Sequence, residues 1–473
     1  MHLNKNKFLW ILGILVPVIS IIAQSHTLPK PSKSQLAWHD MEFYLFTHFG
    51  PNTFTNNEWG HGDEPEDIFN PGQLDCNQWA LIAKQAGAKG IIITAKHHDG
   101  FCLWPSAYST HTVRESKWKN GKGDVLKDLA AACKKYGLKF GVYISPWDRN
   151  HPDYGTPKYN EVYVNTMKEI FARYSPIWEL WWDGANGEGP NGKKQQYNFG
   201  AFEHTMQNIS PSTVIFSDIG PHIRWVGNER GIAGDPNWNY LDTAGFKRGQ
   251  GGPPEDTLNH GNYNGHHWIP AECDVSIRPG WFYHAEEDTK VKTPEQLFDL
   301  YLKSVGRGAN FLLNVPPDRR GLIHGTDSAT LIQFKHLVEQ NFSNNLLKNS
   351  RITYTAKGIS HKLSQAALDN TFAMHGIHAD QLNIELNETK KINCIVIKEG
   401  IAEGQYIRNF IIDIMDHGVS NSRINGTSIG HKRILTFPEV NASIIRLSIP
   451  QSNGKELITS VKAYHIDNAL IEK

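Results

Sequence analysis

Short, wholly apolar runs alternate along the first two thirds of the chain with stretches whose apolar positions recur every three or four residues. The runs at 43–48, 90–95, 138–144, 177–182 and 213–216 are dense in Ile, Val, Leu, Phe and Trp and stop at a polar residue or a glycine. That is the texture of strands buried on both faces. Helical spacing fills 77–86, 124–136, 160–174 and 202–209, with Gly87 and Gly137 as stops. Later strands are expected at 272–277 and 310–314 with a helix over 294–305 between them, whereas 220–265 is rich in Gly, Asn and Pro and reads as long loops over the strand ends. A βα unit repeating with polar residues at each strand end predicts an irregular, TIM-like (β/α)8-type barrel of the α/β class.

The pattern changes after about residue 345. Runs at 382–386, 392–398, 407–415, 444–449 and 457–464 follow one another with almost no helical spacing between them, which predicts an antiparallel, all-β sandwich. The N-terminus has a third texture: Lys5 and Lys7, an apolar run over 8–22, then Ala23-Gln24-Ser25. This is the form of a cleavable export signal. No cysteine stands near Ala23, so a periplasmic or secreted protein without a lipid anchor is expected, and no later run is long enough to span a bilayer. The expected organisation is signal 1–24, barrel 25–344 and sandwich 345–473, with 28–34 as a linker.

Composition narrows the partners. Lys plus Arg and Asp plus Glu are both 48, and a neutral chain has no electrostatic footprint for nucleic acid or an anionic membrane surface. With 14 Trp and 23 His it is suited to sugars, whose apolar ring faces stack on indole. The five cysteines are scattered, forming neither a disulfide framework nor a zinc motif.

The chemistry-bearing residues fall at the predicted strand ends: His48, His97 with His98, Tyr143 with Trp147, Asp183 and Asp218, with Asn57-Glu58-Trp59 in the first loop. Each has a plain reading alone; Asp183, for instance, could cap the next helix. Their convergence on one rim favours a site. A metal centre suits them less well, because adjacent His97 and His98 on an extended segment point to opposite sides. Hydrogen bonds from imidazoles to sugar hydroxyls need no cofactor. Acetal cleavage needs two carboxyl groups. Asp183 fits the role of nucleophile, and Glu229, Glu272, Asp218 and Asp274 are candidates for the acid. Glu229 lies beside a tryptophan in Arg224-Trp225-Val226-Gly227-Asn228-Glu229, where partial desolvation would favour its protonated form.

Several of these stretches together resemble the α-L-fucosidases of glycoside hydrolase family 29: Phe46-Thr47-His48-Phe49-Gly50, Asn57-Glu58-Trp59, Lys96-His97-His98-Asp99-Gly100-Phe101, Trp181-Trp182-Asp183-Gly184 and Leu312-Leu313-Asn314-Val315-Pro316-Pro317. The resemblance implies a retaining exo-α-L-fucosidase without a cofactor, acting on a fucosylated oligosaccharide or glycoconjugate, with no obligate protein partner. It implies Asp183 as nucleophile and His48, Glu58, His97, His98, Tyr143 and Trp181 as fucose-binding residues, with Trp59 in the same loop and Trp281 as an aromatic platform. The segment 224–229 resembles that of the subgroup preferring α-1,3/1,4-linked fucose, where the final Glu is the acid/base; Glu272 is the runner-up. The C-terminal region resembles a discoidin-like sandwich. Two other readings stand beside this one: a non-hydrolytic fucose-binding protein on a barrel scaffold, and a metal-dependent barrel hydrolase.

Overall fold

Eight short strands carry the N-terminal part: β1 (Phe43–Thr47), β2 (Gly90–Lys96), β3 (Lys139–Ile144), β4 (Glu179–Trp181), β5 (Val214–Ser217), β6 (Ile223–Trp225), β7 (Ala271–Ser276) and β8 (Asn310–Asn314). In this computed structural model, which describes residues 28–363, 378–454 and 456–471, they close into a barrel in the order β1-β8-β7-β6-β5-β4-β3-β2, every pairing parallel. The expected signal, 1–24, lies outside the described residues. Every residue of β1, β2, β4, β5, β7 and β8 is buried, because helices cover one face and packed side chains fill the other.

The helices over the outer face start and stop where their end residues dictate. Val125–Tyr136 begins at Asp124, whose carboxylate accepts from Lys127 N, and ends at Gly137 in the left-handed region at φ 70. Pro157–Tyr174, Phe199–Ile209, Pro294–Lys303 and the 18-residue Gly325–Phe342 complete most of the outer layer. Two details differ from the expected layout. The stretch 28–34 is not all linker: a helix, Lys33–His39, starts inside it, and Ser32 and Gln35 close a reciprocal capping box. The stretch 220–265 is not all loop: β6 lies within it, after only residues 218–222 and no helix. A long excursion then runs from β6 to β7, with a two-stranded ribbon (Tyr240–Leu241 with His267–Trp268) and the short helix Glu255–His260.

Beyond residue 350, seven antiparallel strands form one connected network. Its two long members, Gln381–Glu399 and Arg433–Ser452, break register between Glu385 and Lys390 and again between Ile392 and Cys394. Their two halves pair with different neighbours, and one apolar cluster draws on both, including Ile384, Ile395, Phe410, Ile445 and Ile458. The sheet network is fastened to the barrel as well: Cys394, Val396, Ile434, Tyr464 and Ile466 belong to the barrel's own outer core. The five cysteines are free and buried. Among the described residues no helix is long and apolar enough to cross a membrane.

At this junction His39 is fully buried, and among the described residues neither ring nitrogen has a hydrogen-bond partner. It stacks on His431 with centroids 5.3 Å apart. Burial, with His431 and Lys398 adding to it, holds His39 well below its ordinary value. The folded chain keeps this ring neutral while the unfolded chain binds a proton below about pH 6.5. Its contribution to stability is therefore present above that pH and lost as the pH falls below it. Buried acids elsewhere act with the opposite sign, so a single-site difference is the clean readout. His39→Phe should flatten the stability–pH slope by up to about 1.4 kcal/mol per unit between roughly pH 6.5 and 5, measured by denaturant unfolding across that window. Parallel curves for the two proteins would refute it.

Candidate active site

A cavity of about 190 Å³ opens at the carboxyl end of the barrel strands, lined by Phe46, His48, Glu58, Trp59, His97, His98, Tyr143, Trp181, Asp183, Ala185, Glu229, Asp274 and Trp281. It is smaller than the roughly 300–1,000 Å³ of sites for drug-sized ligands, and a single sugar ring suits it. All ten residues singled out above, Asp183, Glu229, His48, Glu58, Trp59, His97, His98, Tyr143, Trp181 and Trp281, reach this one cavity from six different strand ends or loops.

Asp183 follows β4 and is held by the chain around it. Tyr143 O–H donates to Oδ2 at 3.0 Å and the amide of Ala185 to Oδ1 at 2.6 Å. It does not cap the following helix, whose N-cap is Asn198. His98 Nε2 stands 3.9 Å from Asp183 Oδ2. Glycines make room here: a Cβ at Gly184 would fall 2.1 Å from Asp218 Oδ2, and one at Gly187 2.1 Å from the Trp147 ring.

The three histidines are neutral, and each has one nitrogen fixed by a neighbour. Asn314 donates through Nδ2 to Ser276 Oγ (2.9 Å) and Trp281 O (2.7 Å), so its Oδ1 accepts from His48 Nδ1 at 2.8 Å. His48 Nε2 is then an acceptor, and burial lowers the ring to about 3. Ser145 donates to Trp147 O, so its Oγ accepts from His98 Nδ1 at 2.8 Å. Asn52 Nδ2 faces His97 Nδ1 at 3.5 Å, which leaves the proton on Nε2. Burial holds His97 well below its ordinary value, and lowers His98 against the pull of Asp183. The set thus offers both donors and acceptors to hydroxyl groups. One expectation is corrected: His97 and His98 do not point apart, since their ring centroids are 4.2 Å from each other in the same cavity. β2 ends at Lys96, so strand alternation no longer applies to them. Among the described residues no cluster of His, Cys, Asp or Glu has the geometry to hold a metal ion.

Glu58 braces the opposite wall. Its oxygens accept from the amides of Trp281 (2.8 Å) and Phe282 (3.2 Å) and face His284 Nε2 at 2.6 Å. A Cβ at Gly280 would sit 2.6 Å from Glu58 Oε1, so only glycine lets the two loops meet. Trp281 in turn donates from Nε1 to Glu229 Oε2 at 3.3 Å. Trp59 is 57 % exposed and stands edge-on to His98 and Trp147 at the mouth, at 5.7 and 5.6 Å.

The four candidates for the second carboxyl separate by depth. Glu229 and Asp274 line the cavity. Glu272 is absent from that lining and fully buried in the barrel, accepting from Trp181 Nε1 at 2.9 Å and from Tyr44 O–H. Burial raises it, and raises its neighbour Glu179 further. Asp218 lies against Gly184 outside the lining, lifted to about 6 by burial and by Asp183. Asn52, Ser145 and Asn314, which fix the histidine rings, were not singled out from sequence; Asn314 alone stood inside a quoted motif.

Beneath the rim Lys96 Nζ pairs with Asp148 Oδ2 at 2.8 Å, both buried, and Tyr159 bonds to each. The lysine keeps Asp148 ionised, near 2, against the effect of burial. Lys96→Met should cost about 3–5 kcal/mol by stranding the carboxylate, and Lys96→Met with Asp148→Leu distinctly less, both by denaturant unfolding. Equal losses in the single and double variants would contradict this.

The family model for Alpha-L-fucosidase matches residues 46–341. The chain is 40 % identical over 449 residues to alpha-L-fucosidase 1 of Arabidopsis thaliana, covering 92 % of this chain and 88 % of that one. The crystal structure of a glycoside hydrolase 29 family member from an unknown rumen bacterium superposes with a TM-score of 0.83 at 38 % identity, over 93 % of this chain and 78 % of that one. A Ruminococcus gnavus GH29 fucosidase in complex with fucose superposes with a TM-score of 0.82 at 29 % identity, over 93 % and 96 % of the two chains.

Proposed function

The chain belongs to the α-L-fucosidase family and is a glycoside hydrolase, and from that premise we propose that it releases terminal L-fucose by double displacement. Asp183 attacks the anomeric carbon while Glu229 protonates the departing oxygen. Glu229 then takes a proton from water, which attacks the fucosyl ester and frees fucose with its α configuration. The observation that carries this reading is the sharing of one cavity, sized for a single sugar, by Asp183 and Glu229.

The environments of the two acids support the division of labour. Asp183 accepts from Tyr143 and from a backbone amide, donors that favour a carboxylate ready to attack. Glu229 is solvent-exposed beside Trp281, where a leaving sugar has room to depart. The histidines, with Glu58, take the fucose hydroxyls, while Phe46, Trp181 and Trp281 give apolar surface to the ring and its methyl group. The fucose complex of the Ruminococcus gnavus relative supports fucose as the occupant. We further propose a preference for α-1,3/1,4-linked fucose on branched glycans, from the 224–229 segment; export by the N-terminal signal; and a discoidin-like ancestry for the sandwich.

The test is the anomer first released. Proton NMR of early turnover should show α-fucose before mutarotation; β-fucose would exclude double displacement. Asp183→Ala should lower kcat/KM at least about 10⁴-fold, with azide restoring turnover as the β-fucosyl azide. Glu229→Ala should slow substrates with poor leaving groups far more than activated aryl fucosides. Equal loss on both would remove Glu229 from the acid/base role. Lewis-type trisaccharides should be cleaved faster than α-1,2-linked fucosides.

A further inference from the structure

Asp274 lines the cavity beside Glu229 and has no part in the steps above. It is on β7, two residues beyond Glu272, so the period of a strand turns both carboxyls to the barrel interior. Its exposure is 4 %. Trp225 Nε1 donates to Oδ1 at 2.8 Å, while Oδ2 meets no side-chain donor among the described residues. Among the described residues no cation pairs with it. Arg224, on the neighbouring strand β6, turns away, spending its guanidinium on Leu258 O, Ile269 O, Trp238 O and Asn237 Oδ1. The titratable groups beside Asp274 are Glu229 and Glu272, both acids, so neither offers it a positive charge.

We propose that Asp274 works as a neutral carboxylic acid whose Oδ2–H donates a hydrogen bond to the sugar held in the cavity. An anion this deep would need a cation or several strong donors, and the described site supplies the indole N–H and the residue's own backbone amide. Burial, the largest cause, pushes the group well above the carboxylate range, and its two acidic neighbours act in the same direction, in keeping with that geometry. The indole fixes Oδ1 as the carbonyl-like oxygen, so the proton sits on Oδ2 and is available to an acceptor in the cavity. The site then sets Asp183, whose oxygens accept from Tyr143 and a backbone amide, beside a carboxyl kept protonated by its surroundings.

This inference rests on the cavity being the sugar site, and the experiment separates the two. Asp274→Asn keeps the shape and a donor at the Oδ2 position; Asp274→Ala removes it. With an aryl fucoside, Asp274→Asn should keep roughly a third of wild-type kcat/KM and Asp274→Ala about a hundredth, the loss falling mainly on KM. A ratio near one between the two variants, at whatever activity, overturns the proposal, because the donor would then be irrelevant. An infrared difference spectrum, wild type minus Asp274→Asn at neutral pH, should show the C=O band of a protonated carboxyl; a carboxylate band in its place overturns it as well. Failure of the sugar-site reading would look different: Asp183→Ala would stay active.

Discussion

The buried ion pair between Lys96 and Asp148 is the constraint on which the site's precision rests. Lys96 is the last residue of β2, and Asp148 follows the loop after β3. Two charges removed from water hold each other, since separation would leave each buried without a counter-charge. Tyr159, from the covering helix Pro157–Tyr174, bonds to each member, so the outer layer joins the lock. Everything hung between these anchors is fixed by consequence. His97 and His98 follow Lys96 directly, and Ser145 and Trp147, which orient and wall in His98, precede Asp148. A polar cavity at a barrel rim is normally the least ordered part of the fold, because loops supply it. Here two of its loops, those after β2 and β3, are tied to each other by a buried pair.

A second property follows from burial. Rings that are neutral and singly fixed serve a sugar better than charged ones, because each hydroxyl needs both a donor and an acceptor. Burial keeps His48, His97 and His98 uncharged, and one amide or hydroxyl apiece sets the ring orientation. The carboxyls obey the same logic with the opposite outcome. Asp183 has two donors. Glu179, deeper in the barrel, is fully buried beside Glu272, and burial with that neighbour raises it well above the carboxylate range. Down the barrel axis the acids thus pass from exposed Glu229 to deeply buried groups that burial pushes toward the protonated form.

Much of this was legible in the sequence, and the misses have physical causes. Strands buried on both faces announce themselves as apolar runs, so β1 to β5, β7 and β8 could be placed within one or two residues. β6 could not: it has three residues, one of them Arg224, which is fully buried only because four acceptors from distant loops surround it. The capping box of Ser32 and Gln35 was readable but was masked by neighbouring prolines. The ten site residues were nameable from strand ends and from family resemblance. Depth was not: strand period places Glu272 and Asp274 on one face alike, and only the closed barrel separates the one below the floor from the one in the wall. Asn52, Ser145 and Asn314 look like ordinary polar residues until the rings they orient are in place.

The missed strand bears on the role of the second domain. Glu229 hangs from the end of β6, in the excursion that runs to β7, and nothing in the barrel's βα repeat supports so long a departure. Two sources fasten it. Within the excursion, Asn259 donates to Val226 O and Ile232 O at 3.3 and 2.9 Å, and Arg224 draws in residues 238, 258 and 269. From outside comes the sandwich: Gln405 accepts from Asn239 and receives the hydroxyl of Tyr240 at its carbonyl, while Arg408 bonds to Tyr263 O at 2.7 Å and stacks on Tyr263 and Trp238 at 4.4 and 4.9 Å. Arg408 is itself 2 % exposed, and a desolvated guanidinium on aromatic faces is a stronger contact than a surface pair. Asp183 stands at the end of a barrel strand, whereas the loop that carries Glu229 is gripped by the barrel and the sandwich together. Glu229 can be re-aimed by changing what grips its loop, without disturbing Asp183 across the cavity.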